Sequence, residues 1–568
     1  MAETFRTQNP PEIRMAIHCL KAILNINAGA LVEAKTNLQI GKLLTSYSSD
    51  TNTVVSYLEK SHLVTEEGRS IKCEAANLLA ETLCKQNQKE HAKHILGETL
   101  AACQDSQYWY CRLLFQLAQI HVNERDYTSA CQVLSVGEKY CTQSEYTRLL
   151  FLLSKGMLYL INKQGAEVHE TLGAAGQEIE SLSSATPLQK DSLKVFFLLL
   201  QVCHYLFAGQ VKSVKPALKN LQQIIQSITQ SQSTQENTTS VDQFQWLPTE
   251  HMCVLVYLVT VMHSMQAGYI DKAQKYTEKA LLQIEKLKVL DTHPILLAFQ
   301  LMLLENIIMC RLIMGNKTMA IQEIYQACTV CQQQPKLFTS HSAQLHSLLG
   351  LYAMSMNCME AAEVQFQTAA KEEMSEELAT FVKLNLAIVY LRMNRTTEFA
   401  TLMESMDPER SYGQCHSLKA SAFYVQGLQA FFQAKYSEAK RYLRETLKMA
   451  NAEDLNRLTS CSLVLLGQIF MNLGNNTDAL NMVIPAMQLA EKIPDVHVQL
   501  WASSLLKDLY HISGDTFRES EGYRMHSNFS QTLLKDHLQA AQLSEHQLIQ
   551  WKDGPFPAHI APDSEDVK

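Results

Sequence analysis

The 568-residue sequence has no glycine-rich phosphate loop, no Gly-x-Ser-x-Gly elbow and no His-Glu-x-x-His pair. Those absences remove the commonest local marks of nucleotide hydrolysis, serine-nucleophile chemistry and zinc proteolysis. Proline is scarce, with 13 residues, which suits a nearly all-helical chain. No long charged or glycine-rich block divides the sequence. No signal peptide is legible, and the most apolar runs, Val195–Phe207 and Met252–Met262, are too short to cross a bilayer. Without a secretory route the 15 cysteines, scattered singly as at Cys111, Cys253 and Cys461, read as reduced, buried, small apolar side chains of a cytosolic or nuclear protein. The formal charge of −8 argues against a dedicated DNA-binding surface but leaves room for a local basic patch.

What is present is a repeat. Between Ser421 and Pro494 one helical hairpin is written twice, and the step from Gly427 to Gly467 equals the step from Ala439 to Ala479. In each copy a small residue on the first helix is matched by an alanine on the second, at the spacing of Gly427 to Ala439. Two antiparallel helices approach closely only where small residues face each other. The same first-helix position recurs at Gly41, Ala80, Ala118 and Gly156, then at Val202, Val261, Ile308, Gly350 and Ala387. Partners at Ala92, Ala130, Val214, Ala273, Ala320 and Ala362 belong to it. The prediction is an all-α, tetratricopeptide-like solenoid of about a dozen helical hairpins. The organisation expected is a short polar lead-in and helix over 1–24, hairpins over 25–225 and a mobile Gln/Ser/Thr-rich loop over 226–245. Hairpins then continue over 246–550, with a disordered tail over 551–568.

Candidate chemistry is thin. Cys328-x-x-Cys331, with Cys310 upstream, has half the look of a zinc or redox site, but both sulfurs fall late in a predicted second helix and no second pair stands at zinc spacing. They read as buried thiols, and His91-x-x-His94 as a helix-surface pair. No catalytic residue, metal ligand or cofactor is predicted, and the chain is not expected to be an enzyme.

Surface is what remains. First helices of such a solenoid line its groove. Projection from the small positions brings Met262, Met265, Met309, Leu312, Met354, Tyr424, Phe431 and Phe432 into it. A Met-rich apolar lining adapts to an apolar partner segment, and an open groove of that kind implies a permanent occupant. Two basic lines, Lys440, Arg444 and Lys448 on one helix face and Lys212, Lys215 and Lys219 on another, are either solvated faces or docking sites for acidic or phosphorylated segments.

The runs Trp246–Tyr276, Tyr108–Ala118, Phe151–Met157, Gln210–Pro216, Tyr442–Leu458, Asn528–Ser530 and Trp551–Pro555 resemble the MAU-type tetratricopeptide subunit of the cohesin loader. The resemblance covers essentially the whole chain in one register. It implies a non-enzymatic nuclear scaffold whose superhelix wraps the extended N-terminal segment of a large Nipped-B-type subunit. That heterodimer places cohesin on chromatin for sister-chromatid cohesion, touching chromatin indirectly. Set against that pattern, the chain begins at the equivalent of an internal point, and an uncapped N-terminal edge is expected. The rival readings are a repeat scaffold of a ubiquitin ligase or motor adaptor, and an enzyme using the cysteines.

Overall fold

From residue 69 onward the successive hairpins are built on the same turn. At the end of a first helix one residue takes a left-handed conformation, at Asn87, Arg125, Lys163, Gly209, Gly268, Gly315, Asn357, Asn394, Ala434, Gly474 and Gly514. The next N–H then reaches back to a carbonyl in the last turn of that helix, as in Gln88 to Leu83 (2.9 Å), Asp126 to His121 (3.0 Å) and Lys435 to Ala430 (2.9 Å). This Schellman closure satisfies the orphan carbonyls of the first helix. The same residue caps the second helix, and where it is Asp126, Asn475 or Asp515 its side chain accepts from a first-turn N–H. One residue ends a helix and starts the next, so the turns are short and the helices antiparallel.

This computed structural model describes the chain except residues 1, 8–11, 27–28, 48–49, 65–67, 142–143, 183–185, 233–243, 245, 291–293, 334, 407–414 and 553–568. The described residues contain helices and no strand. They form two compact units, residues 1–200 with 235–246, and residues 201–234 with 247–568. The chain passes between the units at 200/201, 234/235 and 246/247.

The first unit holds α1 (Ala2–Thr7), α2 (Ile13–Leu24), α3 (Ala30–Tyr47), α4 (Thr51–His62), α5 (Arg69–Lys85), α6 (Lys89–Ala102), α7 (Gln107–Asn123), α8 (Tyr127–Tyr140), α9 (Glu145–Ile161), α10 (Gly165–Ser181) and most of α11 (Pro187–Phe207). At its N-terminal edge Ala16 and Leu20 of α2 pack against Ile40 and Leu43 of α3, with Phe5 of α1 beside them. These contacts bury part of the apolar surface at that edge, while Met15, Leu31 and Val32 stay exposed. Phe244 packs near Tyr108 and Phe115, its carbonyl accepting from the Tyr146 hydroxyl at 2.7 Å. Trp246 stacks on Phe196 at 4.6 Å and donates to Ser192.

The second unit holds α12 (Val211–Gln232), α13 (Thr249–Ala267), α14 (Ile270–Leu290), α15 (Pro294–Ile313), α16 (Lys317–Gln333), α17 (Pro335–Ser355), α18 (Met359–Ala369), α19 (Glu376–Arg392) and α20 (Thr396–Glu404). It continues with α21 (His416–Phe432), α22 (Tyr436–Ala452), α23 (Asn456–Asn472), α24 (Asn476–Lys492), α25 (Val496–Ser513), α26 (Thr516–Gln542) and a 3₁₀ segment, Ser544–Gln550. From α3 to α26 the helices read as twelve first-and-second pairs, a tetratricopeptide-like solenoid. In the second unit the first helices α13, α15, α17, α19, α21, α23 and α25 lie each against the next.

Three sequence expectations need correction here. Helix α12 runs through Gln232, so the supposed loop starts later, and residues 233–243 and 245 lie outside the described set. Trp551 is buried, not part of a disordered tail; the tail from 553 onward lies outside the described residues. Finally, Ile295–Ile313 is long and apolar enough to cross a bilayer by length and composition. In the structure 56% of that stretch is buried between neighbouring hairpins, which makes it a core helix.

The small–small rule also shifts in detail. Ala439 and Ala479 are fully buried as expected, but the side chains that meet the helix-crossing glycines lie one helical turn beyond those alanines. A Cβ on Gly467 would sit 2.3 Å from Val483 Cγ2, and one on Gly350 2.7 Å from Phe366. The alanine lets the backbones close, and the next inward residue fills the space over the glycine.

The second unit also closes on itself with a period of five hairpins. The turn after α11 meets the start of α21, where His416 N–H donates to the Ala208 carbonyl at 3.1 Å. The turn after α13 meets the start of α23, where Asn456 Nδ2 donates to the Ala267 carbonyl at 2.8 Å. The turn after α15 meets α25 and α26, where Lys317 N–H donates to Asp536 at 2.6 Å. In the same series the Tyr352 hydroxyl of α17 meets His546 of the 3₁₀ segment at 3.0 Å.

Candidate functional site

The sequence-projected groove residues sit where first helices turn their less buried side outward. Met262 and Met265 of α13, Met309 of α15, Met354 of α17, and Tyr424 and Phe431 of α21 are all half-buried. Their inner sides pack on three core clusters of the second unit. Met265 Sδ lies 3.1 Å from the buried Cys310 thiol. Two members depart from the projection. Leu312 is only 9% exposed, drawn into the core between α15, α16 and α17. Phe432 is 61% exposed beside the turn, with Phe431 at 5.7 Å.

The helices that continue this lining carry a polar group that projection did not find. Arg457 Nε donates to Asp495 Oδ2 at 2.7 Å, and the Asp495 side chain is completely buried. Asp495 Oδ1 meanwhile caps α25 by accepting from Val498 N–H at 3.2 Å. Around this pair, enclosure raises the Tyr424 pKa, pushes the Cys461 thiol up to about 11 and lowers the pKa of His497. The same enclosure works against the Arg457 charge, but Asp495 outweighs it and holds the guanidinium above its ordinary value. Arg457 and His497 are exposed at their own surfaces, while Tyr424 and Cys461 are half-buried. Asp495 had a weak sequence signal, an acidic residue just before an apolar-periodic run; Arg457 had none.

The basic lines separate on inspection. On α12, Lys212 and Lys219 are exposed, but Lys215 is bound to Asp454 at 2.5 Å, making it a strut between α12 and the α22–α23 connection. On α22, Lys440 lies over the Phe470 ring at 5.8 Å, Lys448 sits 3.9 Å from Glu445, and Arg444 is exposed. Cys328 and Cys331 are buried in the core around α16, and burial pushes the Cys331 thiol up to about 12. Thiols held that far from ionisation are poor ligands and nucleophiles. His94 lies 3.8 Å from Glu98 on an exposed face.

A stack of helical hairpins whose successive first helices carry half-buried methionines and aromatic rings is a tetratricopeptide-type scaffold. The family model described as "Cohesin loading factor" matches residues 1–516, and the chain belongs to that family. It is 48% identical over 571 residues to the MAU2 chromatid cohesion factor homolog of Aedes aegypti, covering 98% of this chain and 92% of the relative. To the homolog of Drosophila melanogaster it is 46% identical over 579 residues, covering 100% and 92%. Among solved structures, Scc4 in complex with Scc2n and Ctf19n superposes with a TM-score of 0.57 at 12% identity, covering 91% of this chain and 92% of that one. That last likeness concerns the fold.

Proposed function

We propose that this chain is the non-enzymatic scaffold subunit of a nuclear cohesin loader. It holds an extended N-terminal segment of a large Nipped-B-type subunit against the first helices of its second unit, and the heterodimer loads cohesin onto chromatin. Membership of the cohesin loading factor family supports the assignment. The observation that carries the binding mode is the half-buried row Met262, Met265, Met309, Met354, Tyr424 and Phe431 on the first helices of the second unit. Unbranched thioethers repack around an irregular apolar strand at little cost. Cys310 and Cys331, with thiols pushed up by burial, support a role without covalent chemistry, whereas Cys73 and Cys103, expected to be reduced, are joined in a disulfide.

Arg444 and Lys448, solvated on α22, are the charges left for an acidic chromatin-associated receptor; Lys212 and Lys219 flank the strut on α12. The test is co-purification of the chain with the N-terminal segment of the large subunit. Met262→Gln, Met309→Gln and Met354→Gln together are expected to abolish it while helicity by circular dichroism stays unchanged. Undiminished co-purification of a folded triple variant overturns the reading.

A further inference from the structure

We infer that Arg457 is the point at which an acidic side chain of that extended segment is fixed, its carboxylate taken end-on by the two terminal amino groups of the guanidinium. The inference rests on the binding mode proposed above and adds to it a register and a ligand chemistry.

The anchor is built from both sides. Asn456, the first residue of α23, donates to the Ala267 carbonyl at 2.8 Å, which pins the start of the helix against the turn after α13. Arg457 therefore rises from backbone held by two hairpins. Its Nε is committed to Asp495, and Asp495 is saturated in turn, one oxygen on Arg457 and the other on Val498 N–H. A buried carboxylate used in this way orients the guanidinium without occupying its far edge. Nη1 and Nη2 have no hydrogen-bonding partner among the described residues, and the side chain remains 45% exposed.

The Tyr424 hydroxyl, kept protonated by enclosure, has no partner among the described residues. Burial lowers the pKa of His497. Among the described residues, Asp495 is the only carboxylate that influences Arg457. The two terminal N–H groups, oriented by the buried carboxylate, are free to donate to an incoming acceptor. A planar pair of parallel N–H bonds matches two carboxylate oxygens better than a single carbonyl. An acidic side chain entering here gains a charge-assisted, bidentate pair.

The experiment measures binding of the N-terminal segment of the large subunit to the full chain, for the parent, for Arg457→Lys and for Arg457→Gln combined with Asp495→Asn. The double change removes both charges together, and asparagine keeps an oxygen for the Val498 N–H, so no buried carboxylate is stranded. The expected result is tenfold or greater weakening in the double variant and clear weakening in the lysine variant, which keeps the charge but loses the fork. Neutralising the acidic residues of the segment one at a time should find one whose loss weakens the parent equally and the double variant no further. Binding by either variant within twofold of the parent overturns the inference, as does the absence of any such acidic residue. Failure of the parent to bind the segment would instead overturn the proposed function.

Discussion

Gly209 and Cys415, distant in sequence, meet where two coils of the second unit touch: a Cβ on Gly209 would lie 2.6 Å from Cys415 Sγ and 3.0 Å from the Ser417 backbone nitrogen. Gly209 has φ +69° and Gly315 φ +78°, and a Cβ on the latter would lie 2.5 Å from Leu533. Equivalent turns with open space are filled by Asn87, Arg125 and Ala434, or by Gly474 and Gly514 with nothing within 4 Å. All these turns need the left-handed conformation, but only those under another coil also need the missing side chain.

Gly209→Val is accordingly expected to destabilise the second unit by roughly 2–4 kcal/mol, the sum of a strained backbone and a steric clash. Gly514→Asn should change stability by less than about 1 kcal/mol, since asparagine tolerates this conformation and meets nothing. Denaturant melts of both variants check the pair; equal effects would mean that the coils do not touch at Gly209.

Within hairpins, Gly467 is more sensitive than Gly427. An added methyl would meet Val483 at 2.3 Å in the first case and Leu443 at 3.2 Å in the second. Gly467→Ala should cost about 1–3 kcal/mol and Gly427→Ala less than that, because a leucine can rotate by the few tenths of an ångström required. Thermal unfolding of the two variants side by side decides the order.

The C-terminal segment is stapled to the middle of the second unit. Trp551 stacks on His346 at 4.6 Å, and Gln365 Nε2 donates to the Ile549 and Trp551 carbonyls at 2.9 and 2.6 Å. Gln365 Oε1 holds the His346 ring at 2.8 Å. Trp551→Ala should cost about 3–5 kcal/mol through lost burial. Hydrogen exchange is expected to quicken in α17 and α18, far away in sequence, and to stay slow in α23 and α24. Exchange unchanged in α17 and α18 would show that the segment does not support them.

His263 in α13 is 3% exposed, and burial lowers its pKa from 6.5 to about 4. The folded state therefore holds the ring neutral, and the unfolded state binds the extra proton first. Stability is complete above pH 6.5 and falls as pH drops from there towards 4, by up to about 3 kcal/mol. Melting temperatures over that range should fall less steeply in His263→Gln than in the parent; parallel slopes would remove His263 as the cause.

How much of this was legible in the sequence depends on whether the cause was local. Gly427 and Gly467, at the same place in two successive copies, exposed the hairpin because each contact is made within one repeat. The turn residues Arg125 and Lys163 were not legible, since nothing in their side chains announces a left-handed backbone. Contacts between coils were equally hidden: Lys215 looked like one charge in a basic line until Asp454 met it across the fold. Projection assigned Met262, Met309 and Met354 to the groove, and the structure has them half-buried, but it could not see that packing between α15 and α17 draws Leu312 inward. Arg457 was missed because a single arginine at the start of a helix carries no pattern; its meaning comes from Asp495 in the next hairpin.

The central claim, that an extended segment of the large subunit lies along the first helices of the second unit, is tested most directly through the methionine methyl groups. Methyl-labelled full-length chain, titrated with the unlabelled N-terminal segment of the large subunit, reports on each of the 22 methionines separately. Met262, Met265, Met309 and Met354 are predicted to shift together, with Met157 and Met319, which are 41% and 43% exposed on other surfaces, unmoved. Shifts at Met157 or Met319, with those four left in place, would contradict it.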